Sequence, residues 1–163
     1  MERELYGRKF KYDEGKLWVW RERWGKRKLK NPYWYELKGK INNKTGYKSL
    51  HINYRYFYYH RLVYLIHNPD WDIDDSSQAN SIDHIDRNKL NNCIENLRVV
   101  THAENQWNRN AKGYTLHKGG KYQGKIVVDG KAKYLGLFNT KDEAHQSYLN
   151  EKAIHHIFPA NPE

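Results

Sequence analysis

The segment 82–108, IDHIDRNKLNNCIENLRVVTHAENQWN, constrains the fold of this 163-residue chain more than any other stretch. Residues Ser81–His84 are predicted to end a short strand, and Leu97–Val100, with its β-branched residues, is predicted to form a second. Thr101 and Glu104 have the spacing of a capping box, in which they satisfy the first N–H groups of a helix. The segment therefore predicts a strand, an Asn-rich loop, a strand and a helix.

Polar side chains in this unit suit metal-assisted hydrolysis of a phosphodiester. Asp83 and Asn105 can offer oxygen atoms to a hard divalent cation, which polarises the phosphate and stabilises the leaving oxygen. His84 can take the proton of the attacking water near neutral pH. Asn96 can bond the backbone of the loop and hold His84 in line. Helical spacing places Arg109 on the face of Asn105, where we expect it to contact DNA.

This string of residues resembles the HNH, or ββα-metal, nucleases. The residues that carry the resemblance are Asp83, His84, Asn88, Asn91, Asn92, 94–98 and Asn105. The resemblance implies His84 as the general base, Asp83 and Asn105 as metal ligands, and Asn96 as the central, mostly structural asparagine.

The third signature position carries Asn105 rather than His, a variant that is also found in the phage homing enzymes. It leaves a ligand set that is rich in oxygen. Such a set favours Mg²⁺ or Mn²⁺ over Zn²⁺ as the single divalent cation.

Two other interpretations of this segment stay open. An adjacent Asp and His beside an Asn-rich turn can be purely structural, and a fold does not guarantee its chemistry. The leading alternative is therefore a DNA-binding protein with an inert HNH unit, and a more distant one is an RNA-binding protein. The complete string of spaced residues favours the nuclease.

The positive charge of the chain is concentrated in its N-terminal third. The formal net charge is +10 and aromatic residues make up 15%, a mixture typical of surfaces that bind nucleic acid. A basic balance alone would also suit an anionic membrane surface. Residues 1–58 hold 16 Lys and Arg against 6 Asp and Glu, residues 59–112 hold 6 against 8, and residues 113–163 hold 7 against 5. We therefore expect the first third to supply the electrostatic contact with DNA.

Two β-hairpins are predicted in that third, one around a turn at 13–15 and one around a turn near Asn53. Between them, the segment 21–30 is predicted to be a loop that contacts phosphate, although charge runs are often only solvated loops. Its cations are Arg21, Arg23, Lys26, Arg27, Lys28 and Lys30.

A short helix is predicted at 60–66, followed by a polar, acidic loop at 68–80. His60, at the start of that helix, is predicted to orient or pack against a neighbour rather than to bind metal. Arg61 is predicted to contact a phosphate.

The sequence pattern changes from Gly113 onward. Strands are predicted at 121–128 and 131–138, joined by a two-residue turn at Asp129 and Gly130. A second capping box at 140–143 predicts a helix that runs to about His156.

This second pattern resembles the AP2 DNA-binding domain. The residues that carry the resemblance are 122–126, Gly130, Lys131, 134–136, Phe138, Thr140, Glu143, Ala144 and Tyr148. The resemblance implies a three-stranded sheet in the major groove, with outward side chains that read bases. Those side chains are Gln123, Lys125 and Lys133, with His117 and Lys118 on the first strand.

Two departures from the AP2 pattern affect this reading. Tyr122 stands where a Trp is usual, and no Arg follows Arg109, so the Arg-to-guanine contacts of the major groove are missing. A structural cap that never touches DNA is the alternative for this part of the chain.

The predicted fold class is α+β, in which N-terminal β-hairpins lead into a ββα-metal HNH unit and a three-stranded antiparallel sheet packs on one helix. We expect an HNH nuclease domain at 1–110, with its ββα unit at about 81–110, and an AP2-like DNA-binding domain at 113–163.

The predicted function is that of a homing endonuclease of the phage type, which nicks double-stranded DNA as a monomer with one divalent cation. No apolar run has the length of a membrane span and no signal peptide opens the chain, so we expect a cytoplasmic protein in a bacterial host. Cys93 is the only cysteine, which excludes intrachain disulfides.

Overall fold

The computed structural model describes residues 1–158, which form two compact units. The first unit runs from Met1 to Asn105 and the second begins at Gln106. The strands are β1 (Glu2–Leu5), β2 (Arg8–Asp13), β3 (Lys16–Trp24), β4 (Arg27–Glu36), β5 (Lys40–Ile41), β6 (Lys48–Ile52), β7 (Arg55–Tyr58), β8 (Ser81–His84), β9 (Leu97–Val100), β10 (Tyr114–Leu116), β11 (Tyr122–Val128) and β12 (Lys131–Phe138). The helices are α1 (Tyr59–His67), α2 (His102–Trp107) and α3 (Lys141–His155), and Ile94–Asn96 form a 3₁₀ turn.

Strands β1 to β4 form an antiparallel sheet in chain order. Two-residue turns at Tyr6-Gly7 and Glu14-Gly15 join the first three strands, and all four residues have positive φ. This is the type I′ geometry that matches the twist of a hairpin. The hairpin predicted around the turn at 13–15 is confirmed as part of this larger sheet.

The basic segment 21–30 is the tip of the β3–β4 hairpin, so the prediction of a loop was wrong. Trp24 pairs with Arg27, and Gly25 opens the two-residue turn between them with φ +60°. A glycine at this position suits a type II′ turn, which lets the strands continue to the end of the basic run. The charge of the segment obscured this turn signal.

The core of the first unit lies where α1 packs on β2, β6 and β7. Leu62, Val63 and Ile66 of α1 are almost fully buried, which confirms the helix predicted at 60–66. The backbone N–H of Leu17 donates to the Tyr59 hydroxyl at 2.7 Å and ties β3 to the start of the helix. The other members of this core are Phe10, Leu17, Val19, Leu50, Ile52, Phe57, Tyr59, Ile82 and Leu97.

Strands β8 and β9 pair antiparallel, and α2 follows them, so the predicted strand, loop, strand and helix are confirmed. Glu104 N–H donates to Thr101 Oγ1 at 3.2 Å and Thr101 N–H donates to Glu104 Oε2 at 2.7 Å, which is the predicted capping box. The helix ends at Trp107, so Asn108 and Arg109 lie beyond it and not on its face. A turn replaces the next helical bond, since Arg109 N–H donates to Gln106 O.

In the second unit, β10 to β12 form the expected three-stranded sheet and α3 packs against it. The type I′ turn at Asp129-Gly130 and the capping box between Thr140 and Glu143 are both present. His117 lies after the first strand, in the bend that leads to β11, so its predicted place on that strand, with Lys118, was wrong.

The predicted outward position of Lys133 was also wrong. The Asp129-Gly130 turn pairs Val128 with Lys131, and this register places Lys133 opposite buried Ile126. Directly opposed residues share a face of the sheet. Lys133 therefore lies on the face that α3 covers, where its Nζ contacts Glu151 Oε2 at 2.6 Å.

Within residues 1–158, no helix has the length and apolar character needed to cross a lipid bilayer.

We predict that Gly113→Ala will destabilise the second unit far more than Gly120→Ala. Both glycines have a positive φ, +72° and +78°, so both substitutions carry backbone strain of about 1 kcal/mol. A Cβ at Gly113 would also lie 2.0 Å from Tyr148 Cγ, whereas a Cβ at Gly120 meets nothing within 4 Å. Faster amide hydrogen exchange in β11 and β12 should therefore appear in the first variant, and equal exchange in both would contradict this packing.

Candidate active site

Asp83 and His84 occupy the last two positions of β8, and both side chains are buried, at 5% and 3% exposure. Asp83 lies directly opposite Arg98 of β9. Arg98 donates from Nη2 and Nε to Asp83 Oδ2, at 2.7 and 3.0 Å. A buried carboxylate is costly unless it is paired, and this ion pair compensates for the burial of Asp83 at the end of the strand.

The imidazole of His84 is held by the amide of Asn92, with 3.1 Å between His84 Nε2 and Asn92 Oδ1. The Asn92 amide is oriented by its Nδ2, which donates to Leu90 O at 3.0 Å. Because Oδ1 can only accept, Nε2 carries the proton of the neutral ring and Nδ1 is its basic nitrogen. Burial lowers the pKa of His84, which the bond to Asn92 and the charge of Asp83 partly oppose.

Two aromatic side chains pack beside the His84 ring. His60 meets it edge-on, with ring centroids 4.9 Å apart, and Tyr47 lies at 5.9 Å. His60 is 5% exposed, stacks on Tyr58 and has no hydrogen-bond partner at Nδ1. Burial, followed by the charges of His84 and Arg61, lowers the pKa of His60 to about 3. His60 therefore packs as a neutral ring against His84.

Asn96 bonds the loop between the two strands in three places. Its Oδ1 accepts from Asp86 N at 3.0 Å, and its Nδ2 donates to Asp86 Oδ1 at 2.9 Å and to Asn91 O at 2.8 Å. The backbone adds a fourth bond, from Ile85 N to Asn96 O at 2.9 Å. The side chain bonds the loop backbone as the sequence predicts, and the loop begins directly after His84.

Asn105, on α2, lines a cleft of about 470 Å³ together with Tyr47, His60, Arg61 and Ile82. Ser81 and Ile82 of β8 line the same cleft, whereas Asp83 and His84 are not among its lining residues. Arg61 donates to Ile73 O at 2.7 Å and to Asn80 O at 3.2 Å, so two of its donors hold the acidic loop after α1. A phosphate contact by Arg61 stays a prediction.

The predicted metal ligands are one carboxylate and one amide oxygen. In the described part of the chain, no three His, Cys, Asp or Glu side chains cluster in a way that could hold a metal ion. Asp83 and Asn105 still fit a hard divalent cation, because such ions take carboxylate and amide oxygens and complete their shell with water and phosphate. Asp83 is buried and Arg98 holds its carboxylate in position, which supports this fit.

The predicted DNA-binding residues lie in several places. Arg23, Lys26, Arg27, Lys28 and Lys30 are exposed at the tip of the β3–β4 hairpin, and Arg109 is exposed after α2. Arg21 is half-buried, with its guanidinium carbon 3.6 Å from the centre of the Tyr35 ring. Gln123 and Lys125 share the face of the second sheet that is opposite α3, whereas Lys133 does not.

Sequence reasoning assigned no role to Asn92 or Arg98, although both belong to the signature string. The signal for Arg98 was available, since pairing the two predicted strands end to end sets it opposite Asp83. No such signal was available for Asn92, because its contact with His84 depends on the path of the loop.

Comparisons with known proteins find a similarity that includes the residues of this site. Residues 57–107 match the model of a family described as HNH endonuclease. Over 71 residues the chain is 35% identical to an uncharacterized HNH endonuclease of Acanthamoeba polyphaga mimivirus. That alignment covers 41% of this chain and 38% of the viral protein, well under two thirds of its length. No solved structure matches the chain. The comparisons therefore show that residues 57–107 are similar to the HNH endonuclease family.

We predict that His60→Gln will reduce the acid sensitivity of the fold. The pKa of His60 falls from 6.5 to about 3 on folding, so below pH 6.5 the unfolded chain binds a proton that the folded chain does not. The stability that neutral His60 contributes is therefore complete above pH 6.5. As the pH falls from 6.5 towards 3, the free energy of unfolding decreases by up to about 1.4 kcal/mol per pH unit.

Urea unfolding at several pH values between 4 and 8 measures this slope. His51→Gln is the matched control, because His51 is exposed. A slope in His60→Gln as steep as that of the native chain would contradict the buried, neutral state of His60.

Proposed function

We propose that this chain is a DNA endonuclease that hydrolyses phosphodiester bonds of double-stranded DNA, because residues 57–107 match the model of a family described as HNH endonuclease. The observation that carries the proposal is the buried pair at the end of β8. The Asp83 carboxylate is paired with Arg98, and His84 is held in one tautomer by Asn92. A carboxylate for a cation and an adjacent imidazole for a proton are the two groups that such hydrolysis requires.

His84 acts as the general base in this proposal. Asn92 fixes Nε2–H as a donor, so Nδ1 takes the proton of the attacking water. Because burial lowers the pKa of His84, the ring is neutral and ready to accept at pH 7. Asn96 acts through position, since its bonds to Asp86 and Asn91 hold the loop that follows His84.

Asp83 and Asn105 would hold one divalent cation, and their oxygen atoms favour Mg²⁺ or Mn²⁺ over Zn²⁺. When bound, the cation supplies charge that stabilises the leaving oxygen. The hydrogen bond from Arg98 Nη2 to Asp83 Oδ2 holds this carboxylate in position at the end of β8.

Binding of DNA is assigned to two surfaces. The exposed cations at the tip of the β3–β4 hairpin neutralise phosphates without regard to sequence. The β10–β12 sheet is proposed as an AP2-like module that offers Gln123 and Lys125 to bases. We propose that the HNH domain occupies 1–110 and this module 113–163.

A chain with one such site cleaves one strand at a time, so we propose a monomer that nicks duplex DNA, as a homing-type enzyme does. The test is incubation of the purified chain with supercoiled plasmid, in Mg²⁺, in Mn²⁺ and in EDTA. Open-circle product that requires the cation supports the proposal. Plasmid that is bound but never nicked would favour the alternative, a DNA-binding protein with an inert HNH unit.

We predict that His84→Ala will slow nicking by about 10²- to 10⁴-fold, the usual contribution of a general base. DNA binding, measured by gel shift in EDTA, should change little because the phosphate contacts lie elsewhere. His51→Ala, at an exposed position of β6, is the control and should nick at the native rate. Native activity in His84→Ala would contradict the assignment of His84 as the general base.

We predict that replacing the five exposed cations of the hairpin tip with Gln will weaken binding to all DNA sequences alike. Each lost phosphate contact should flatten the log–log dependence of affinity on salt by up to about 0.9. Fluorescence anisotropy from 50 to 300 mM NaCl measures this slope. Replacing Lys133, which contacts Glu151, should leave the slope unchanged, and an equal effect of both changes would contradict the assignment.

A further inference from the structure

The face of the β10–β12 sheet opposite α3 has an unusual composition for a nucleic-acid surface. Register places Thr115 beside Gln123, Gln123 beside Leu137, and Lys125 beside Tyr134, with Val127 next along β11. The alternate residues Gly124 and Ile126 are buried on the other face. We call this surface, made of Thr115, Gln123, Lys125, Val127, Ala132, Tyr134 and Leu137, the open face.

Three large apolar side chains on the open face are exposed to solvent. Val127 is 55% exposed, Tyr134 58% and Leu137 45%. Contiguous apolar side chains on a sheet face are usually covered by something, and here they surround a single cation, Lys125. The face holds no carboxylate, which favours an anionic partner.

The open face also lacks a guanidinium group, since no arginine follows Arg109 in the chain. Arginine is the commonest side chain that reads guanine in the major groove. The glutamine and the apolar side chains of the open face match other groups of the major groove. The amide of a glutamine bonds the N6 and N7 positions of adenine, and apolar side chains contact the 5-methyl group of thymine.

We propose that the open face binds the major groove of A·T-rich DNA and recognises it through thymine methyl groups, which Val127 and Leu137 contact. This inference rests on the proposed DNA binding by the second unit and adds the base composition of its target. A three-stranded sheet is about 10 Å wide between its outer strands, and the major groove is about 12 Å wide, so the sheet fits. Gln123 supplies the polar contact to adenine and Lys125 the charge.

The test compares synthetic duplexes that differ in single groups of the major groove. The full chain, in EDTA to prevent hydrolysis, is titrated into alternating A·T, A·U, I·C and I·5-methyl-C duplexes at one salt concentration. Uracil is thymine without its methyl group. Inosine paired with cytosine presents the minor groove of an A·T pair and the major groove of a G·C pair, so it separates the two grooves.

The A·T duplex should bind most tightly, and A·U and I·C should each bind roughly 3- to 10-fold more weakly. The 5-methyl group on cytosine should restore part of the affinity that I·C loses. Equal affinity for A·T and A·U would overturn the inference, because thymine and uracil differ only in the methyl group. Equal affinity for A·T and I·C would also overturn it, because it would place recognition in the minor groove.

A double variant tests the residues. Val127→Ser with Leu137→Ser should bring the A·T to A·U affinity ratio close to 1 and leave binding to A·U in place. Leu149→Ser is the matched control, since Leu149 is 39% exposed on α3 and should keep the native ratio. An unchanged ratio in the double variant would overturn the assignment of these two residues.

The alternative occupant of the open face is a second copy of the chain. A dimer in sedimentation experiments that the double variant dissociates would overturn the proposal. Plasmid nicking in Mg²⁺, measured on the same preparations, tests the proposed function separately. A chain that nicks plasmid but does not distinguish A·T from A·U would lose this inference and keep the nuclease.

Discussion

The candidate active site depends on the side-chain amide of Asn96. This amide uses its one oxygen and its NH₂ group to bond three groups of the loop between β8 and β9, and it is buried as it does so. An unsatisfied buried amide would cost roughly 1–3 kcal/mol, so the loop and the asparagine require one another. The loop in turn carries Asn92 to His84, and the two strands that it joins set Arg98 opposite Asp83. The positions of both side chains therefore depend on one packed amide.

The sequence predicted the elements that carry this site because their signals are local. The capping box at Thr101, the β-branched residues of β9 and the Asn-rich loop each act over a few residues, and each is present in the structure. Two-residue turns such as Asp129-Gly130 were found for the same reason, since positive φ at both positions strongly favours Asn, Asp and Gly.

The sequence was less informative where a feature depends on register or on distant contacts. Lys133 was placed on the wrong face because alternation along one strand does not determine how that strand pairs with the next. The turn residues between the two strands determine this register. The 21–30 segment was predicted to be a loop because its high charge is typical of loops. Its alternating pattern and its turn glycine, which indicate a hairpin, were given less weight. The packing of His60 on His84 joins residues that are 24 positions apart, and no pattern within the chain encodes that contact.

Strand β4 is the outer strand of its sheet, and its composition has a consequence for solubility. An outer strand presents unpaired backbone groups to which another chain can add, and proteins commonly block such edges with lysine and proline. Lys28, Lys30 and Pro32 all lie on this strand. The lysines assigned to phosphate contact would therefore also protect the edge of the sheet from aggregation with another chain. When duplex DNA covers the hairpin, the DNA itself would block this edge.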